Sequence, residues 1–120
     1  MRYVLVVDDN SDIRRLLTLT LVNKYEVIEA DNGVAALYAI RKFHPSAVLL
    51  DVMMPGEIDG LGVLDAIKSD PATRDIPVAM VTARGQQADR DEAKRRGAEA
   101  YFVKPFSPQQ VGAWILERTR

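Results

Sequence analysis

Short apolar runs alternate with amphipathic stretches of helical length along the whole chain. Five runs read as β-strands: Tyr3–Val7, Tyr25–Ala30, Ala47–Leu50, Pro77–Val81 and Ala100–Val103. The first, third and fourth are nearly unbroken apolar segments, as expected of parallel strands covered on both faces. The second mixes polar and apolar positions, which suits a sheet edge.

The segments between them carry helical periodicity. Ile13, Leu16, Leu17 and Thr20-Leu21 recur at three- and four-residue intervals, as do Val34, Leu37 and Tyr38 before the breaker His44-Pro45. A third helix is read from Leu61, Leu64 and Ala66-Ile67 and stops near Ser69-Asp70-Pro71. A fourth, roughly Gln86–Arg96, is conspicuously polar. Lys94-Arg95-Arg96 supplies its cationic last turn, and Gly97 suits the left-handed position just past its end. The fifth opens on Ser107-Pro108-Gln109-Gln110: an N-cap hydroxyl, proline at the first helical position and a glutamine placed for a capping box. It turns Val111 and Ile115 inward.

Strict alternation with short connections predicts an α/β fold, a doubly wound five-stranded parallel sheet with helices on both faces. No repeat, linker or low-complexity tract divides the chain, so residues 1–120 are expected to form one domain. Composition then removes several functions. A net charge of -1, with acids and bases interleaved, offers no basic face for nucleic acid. The absence of cysteine excludes disulfides and thiolate metal sites. No signal-peptide pattern opens the chain, and no apolar run approaches the roughly 18 residues needed to span a bilayer. The expectation is a cytoplasmic protein with neither a membrane nor a direct nucleic-acid partner.

In an open parallel sheet, ligands bind beyond the carboxyl ends of the strands, near the point where strand order reverses. The residues that end the apolar runs therefore carry the functional question. Asp8-Asp9 follow the first run, Asp51 the third, Thr82 the fourth and Lys104 the fifth. If the first and third strands are neighbours, three carboxylates share one pocket and repel unless protonated or joined by a cation. Oxygen donors with no His or Cys favour Mg²⁺, Mn²⁺ or Ca²⁺ over zinc or copper. Mg²⁺, which keeps waters and shares its site with phosphate, best suits an open pocket. The Thr82 hydroxyl and the Lys104 ammonium are each able to bind a phosphoryl oxygen. A carboxylate nucleophile between a cation and a lysine is equipped for phosphoryl transfer.

Five segments in order make this specific: Val4-Leu5-Val6-Val7-Asp8-Asp9, Leu49-Leu50-Asp51-Val52-Met53-Met54-Pro55, Asp59-Gly60, Val81-Thr82-Ala83, and Gly97-Ala98-Glu99-Ala100-Tyr101-Phe102-Val103-Lys104-Pro105-Phe106. Over essentially its full length the chain resembles the response-regulator receiver domains of bacterial two-component signalling. The resemblance implies a flavodoxin-like sheet of order 2-1-3-4-5. It also implies a signalling switch that catalyses only its own phosphotransfer and dephosphorylation. Asp51 corresponds to the phospho-acceptor, Asp9 to a direct Mg²⁺ ligand, and Asp8 to an acid acting on the metal mainly through water. The Met53 backbone carbonyl would join Asp9 and Asp51 as the third protein ligand. Thr82 and Lys104 correspond to the phosphate-binding pair, and Tyr101 to the aromatic that turns inward as the hydroxyl swings toward the phosphoryl group. The family often has a cis bond where this chain has Lys104-Pro105. A sensor histidine kinase or phosphotransfer protein is the implied donor. A homodimer or output partner is implied on the face of the fourth helix, fifth strand and fifth helix, with Trp114 a candidate anchor. Gly56-Glu57-Ile58 is one residue longer than the commonest family spacing, which lengthens that loop and brings Glu57 toward the pocket rim. Arg84 stands where the family varies and is expected to shield the phosphoryl group in part.

Each residue also has a plainer reading. Asp8-Asp9 would serve as helix caps, Thr82 would satisfy a loop backbone group, and Lys104 would sit solvated in a turn. Tyr101 would be static packing, Trp114 would close the edge of the core, and His44 is read as a surface residue. An acid after Val48-Leu49-Leu50, however, needs a reason to be there. The rival from the enzyme class is a phosphohydrolase of the haloacid dehalogenase type. Those enzymes place a second Asp two residues after the first, where this chain has Met53. A phosphate-blind receiver-like scaffold is the other alternative, opposed by the presence of all five site residues.

Overall fold

The computed structural model describes residues 2–120. In chain order the elements are β1 (Tyr3–Val7), α1 (Ser11–Leu21), β2 (Glu26–Ala30), α2 (Gly33–Phe43), β3 (Ala47–Leu50), α3 (Gly60–Ser69), β4 (Val78–Thr82), α4 (Gln87–Arg95), β5 (Ala100–Val103) and α5 (Pro108–Arg118). All five strands pair in parallel in the order β2-β1-β3-β4-β5. The chain steps outward to β2 and then crosses to β3, so strand order reverses between β1 and β3.

The two-residue period of a strand sorts the side chains into two cores. Val4, Val6, Leu49 and Val81 pack with Leu17 and Leu21 of α1 and with Val111 and Ile115 of α5. Leu5, Val7, Leu50 and Met80 face the other way, against α2, α3 and the single Ala93 of α4. Covered on both sides, β1, β3 and β4 have no polar position to spare before their carboxyl ends, which is why they are continuous apolar runs. Burying each such Val or Leu contributes about 1.5–3 kcal/mol.

Local differences from the pattern have physical causes. β4 ends at Thr82, one residue later than the apolar run suggests, and begins after Pro77, which has no N–H for the ladder. β2 begins at Glu26 because Tyr25 turns inward, its hydroxyl 2.7 Å from Thr119 Oγ1. In α2 the buried positions are Gly33, Ala36, Ala39 and Ile40, whereas Val34 and Tyr38 are exposed. Small side chains let this helix sit close to β1 and β2, and the bulkier residues of the pattern are left outside. In α1, likewise, Leu17 and Leu21 are buried and Leu16 is not. No helix of the described residues is long and apolar enough to cross a membrane.

Helix starts are closed by side chains in four cases: Asn10 for α1, Asn32 for α2, Asp59 for α3 and Ser107 for α5. α4 differs. Gln86 makes no side-chain cap bond, and Ala93 is the one buried residue of that helix. Its far end closes through Gly97, whose φ of 107° is the left-handed conformation that glycine adopts without steric cost.

Candidate functional site

β1 and β3 lie side by side with Val7 opposite Leu50, so Asp8 and Asp51 open two adjacent strand-end loops. Backbone bonds fix both: Asp51 N–H donates to Val7 O at 3.0 Å, and Asp8 N–H to Ala30 O at 3.1 Å. One carboxylate oxygen from each of Asp8, Asp9 and Asp51 lies within 4.8 Å of the other two. Asp8 and Asp51 are buried, while Asp9 is exposed. Lys104 reaches in from the end of β5, its Nζ donating to Asp8 Oδ2 at 2.8 Å and to Asp51 Oδ2 at 3.1 Å.

Three carboxylates against one ammonium leave two negative charges without a partner. At such separations each like pair costs roughly 3–4 kcal/mol at an effective dielectric of about 20. Burial pushes the Asp8 carboxyl above its usual range and the Asp51 charge adds to this, against the hydrogen bonds from Lys104 and Asn10 that hold it down. Burial also opposes charge on Lys104, but the bonds to Asp8 and Asp51 together outweigh it and raise the ammonium above its ordinary value. A hard cation entering beside exposed Asp9 would relieve the repulsion. The all-oxygen donor set fits such an ion.

The capping reading of the acids does not hold. The N-cap of α1 is Asn10, whose side chain accepts from the N–H groups of Asp12 and Ile13 at 2.9 and 3.2 Å. Asp8 and Asp9 are left for other work. Met53 sits beside the pocket with its N–H donated to Asp51 Oδ1 at 3.2 Å and its side chain exposed. Gly60 is required where it stands: a Cβ there would collide with the Asp51 carbonyl. The longer loop turns at Gly56, with φ at 104°, and is anchored by half-buried Ile58, which packs where Gly33 and Gly62 leave room. Glu57 is exposed on this loop.

Thr82 is fully buried at the end of β4. Its carbonyl accepts from Lys104 N–H at 2.8 Å, tying the ends of β4 and β5 together. Its Oγ1 accepts the Arg84 N–H at 3.3 Å, which leaves the hydroxyl proton free for another acceptor. Tyr101 lies on the opposite face of β5 from Phe102 and donates its hydroxyl to Arg84 O at 2.7 Å. Burial, with Asp89 adding to it, raises the Tyr101 phenol above its ordinary value. The backbone of Arg84 is thus held by Thr82 on one side and Tyr101 on the other, while the Arg84 guanidinium lies 3.8 Å from Asp89 of α4. Lys104-Pro105 is cis. Trp114 is half-buried, edge-on to Phe102 at 6.5 Å between centroids, with the Arg118 guanidinium 5.7 Å from the centre of its ring. His44 is exposed and closes α2 in a left-handed conformation.

Asp8, Asp9, Asp51 and Lys104 therefore form one cluster, with Met53 and Thr82 bonded to its edges and Tyr101 one step further out. Two participants were not anticipated. Asn10 caps α1 and also donates its N–H to Asp8 Oδ1 at 2.9 Å. An Asn directly before a helical pattern is a readable signal for the first role but not for the second. Arg14 donates Nη1 to the Asp8 carbonyl at 2.8 Å, and no local sequence pattern announces it.

A family model described as the response regulator receiver domain matches residues 4–115. The chain is 47% identical over 114 residues to the "Probable transcriptional regulator ycf27" of Porphyra purpurea, covering 93% of this chain and 45% of that protein. It is 38% identical over 115 residues to the phosphate regulon transcriptional regulatory protein PhoB of Escherichia coli (strain K12), covering 95% and 50%. The chain spans about half the length of the curated relatives it matches. Among solved structures, the Vibrio cholerae chemotaxis protein CheY4 superposes with a TM-score of 0.88 at 31% identity, covering 100% of this chain and 99% of that one. NtrX from Brucella abortus gives 0.86 at 35% identity, over 98% of this chain and 26% of that one.

Proposed function

Since the chain belongs to the response regulator receiver family, we propose that residues 1–120 act as a receiver domain whose switch is phosphorylation of the Asp51 carboxylate. The observation that carries this reading is the acid cluster with Lys104 bridging Asp8 and Asp51. A family of this kind receives its phosphoryl group from a histidine kinase or a phosphotransfer protein, and the same donor class is proposed here.

Asp8, Asp9, Asp51 and the Met53 backbone carbonyl would hold Mg²⁺, which when bound supplies positive charge to a phosphoryl group's oxygens. The rest of the chemistry belongs to the chain. Met53 N–H and Lys104 grip one oxygen each of Asp51 and orient the carboxylate. An Asp51 oxygen forms the new O–P bond as the N–P bond of a phosphohistidine breaks; the electron pair stays on the departing nitrogen, and a proton already on the ring's other nitrogen, or taken from water, makes the leaving imidazole neutral. The Lys104 ammonium then exchanges its Asp51 contact for a phosphoryl oxygen, and Thr82 donates its free hydroxyl proton to another. Hydrolysis of the acyl phosphate returns the carboxylate and resets the switch.

Movement toward the phosphoryl group strains the Thr82 bond to Arg84 N–H, and the Tyr101 bond to Arg84 O shares the same residue. Tyr101 would then leave Arg84 and turn inward, and the surface of α4, β5 and α5 would shift for a second copy or an output partner. Packed on Phe102, half-buried Trp114 closes the edge of the core in the resting form, and such a shift would turn more of it toward a partner. A phosphohydrolase of the haloacid dehalogenase type would generally carry its acid/base Asp at position 53, where an exposed methionine stands.

Incubation with acetyl phosphate and Mg²⁺, followed by intact mass measurement, is expected to show one added phosphoryl group, with none on Asp51→Asn. Labelling that persists in the variant would overturn the assignment.

A further inference from the structure

Asp8 is held at every polar atom. Its N–H donates to Ala30 O, its Oδ1 accepts from Asn10 N–H, its Oδ2 accepts from Lys104, and its carbonyl accepts from Arg14 Nη1. Asp9 is the opposite, an exposed carboxylate. Its direction therefore depends on the backbone that carries it. The Asp8 carbonyl and the Asp9 N and Cα share one planar peptide unit, so a bond that fixes the carbonyl also fixes the plane from which Asp9 departs.

Arg14 supplies that bond, and it is itself aimed from elsewhere. Its Nε donates to Glu29 Oε1 at 3.0 Å, and Thr18 Oγ1 donates to Glu29 Oε2 at 3.3 Å. Glu29, on the edge strand β2, is thus held at both carboxylate oxygens, and the Arg14 side chain is 17% exposed. The guanidinium fork spans β2 and the β1–α1 turn, a geometry that a lysine's single ammonium does not reproduce.

We propose that Arg14, braced by Glu29, is a positioning residue for the cation site: it orients the Asp8–Asp9 peptide so that Asp9 meets the ion already aligned. The proposal rests on the metal reading given above, and it predicts a sign that charge alone does not. Arg14 is a cation close to a cation site, so electrostatics by itself would make its removal tighten metal binding. Loss of positioning makes it weaken binding, as loss of groups that orient metal ligands generally does. An exposed Arg–Glu pair that served only stability would matter little either way.

The test is calorimetric titration of Mg²⁺, and separately Mn²⁺, into the 120-residue protein in low-salt buffer without any phosphodonor. Wild type, Arg14→Ala and Arg14→Lys are compared, each first shown by thermal melting to be folded. Binding about tenfold weaker in both variants is expected, since the lysine keeps the charge and loses the fork. Unchanged or tighter binding in Arg14→Ala, or full retention in Arg14→Lys, would overturn the role of Arg14 while leaving the metal site standing. No binding by wild type would overturn the metal reading itself, and this inference with it.

Discussion

The rim where the strands end has a fixed side and a loose side. On the β1–α1 and β3 side, Asp8 is bonded at each polar atom, α1 is capped by Asn10, and β3 and all of β1 beyond Tyr3 are buried. On the β4–α4–β5 side, α4 has no side-chain cap, buries Ala93 alone and leads into a half-buried β5. The far end of α4 is pinned, with Arg96 on Asp65 and Lys68 on Glu99, both at 3.1 Å. Its near end is held by the Tyr101 bond to the Arg84 carbonyl, a 3.8 Å contact between Arg84 and Asp89, and the Arg90 guanidinium 5.3 Å from the centre of the Tyr101 ring. One side is a template that holds its geometry while a charge arrives. The other is a segment whose displacement costs little. A phosphoryl group on Asp51, as proposed, would therefore displace the loose side rather than the fixed one.

The largest effect is expected at the bridge between the sides. Lys104→Met leaves Asp8 and Asp51 buried without their counter-charge and should lower stability at pH 7 by about 3 kcal/mol, near the low end for breaking a buried pair. Chemical denaturation measures the loss, and Mg²⁺ should recover more stability in this variant than in wild type. The pH dependence has a definite sign. The raised Lys104 value means its contribution is complete across the neutral range and is lost only as pH climbs past the ordinary lysine value.

Asp8→Asn tests the fixed side and should act in the opposite direction. The folded Asp8 value lies above the unfolded one, so protonation stabilises the fold in acid and that stabilisation is lost as pH rises. Removing the charge should raise stability at pH 7, read as a higher melting temperature. The advantage should vanish once pH falls below the ordinary carboxylate range. A gain that persists in acid would mean that packing, not charge, is responsible.

Smallest is the loose side. Tyr101→Phe deletes one neutral hydrogen bond, worth about 1 kcal/mol at most. Its signature is local: amide exchange should quicken around residues 84–90 and stay unchanged in α1. Equal quickening in both regions would erase the contrast.

The fold was legible because β1, β3 and β4 are buried on both faces, which forces unbroken apolar runs, and because alternation with helices admits few topologies. The face of α2 was not, since Ala36 and Ala39 allow an approach that bulkier Val34 and Tyr38 do not. The acids were legible by position, as polar residues that close buried strands at the point of strand reversal. What escaped was the set of long-range bonds. Lys104 meets Asp8 across 96 positions, and Arg14 meets Glu29 across 15. Such pairings depend on register between strands and on side-chain reach, neither of which a periodic pattern carries. The two bonds on the Arg84 backbone were hidden for the same reason.

Hydrogen–deuterium exchange with Mg²⁺ alone, and then with Mg²⁺ and beryllium fluoride as a phosphoryl mimic, addresses the division most directly. Amides from Arg84 through the first half of α4 should change their exchange several-fold on adding the mimic, while those of the β1–α1 turn and of α1 hold constant. A change concentrated in α1, or spread evenly over both sides, would contradict the account.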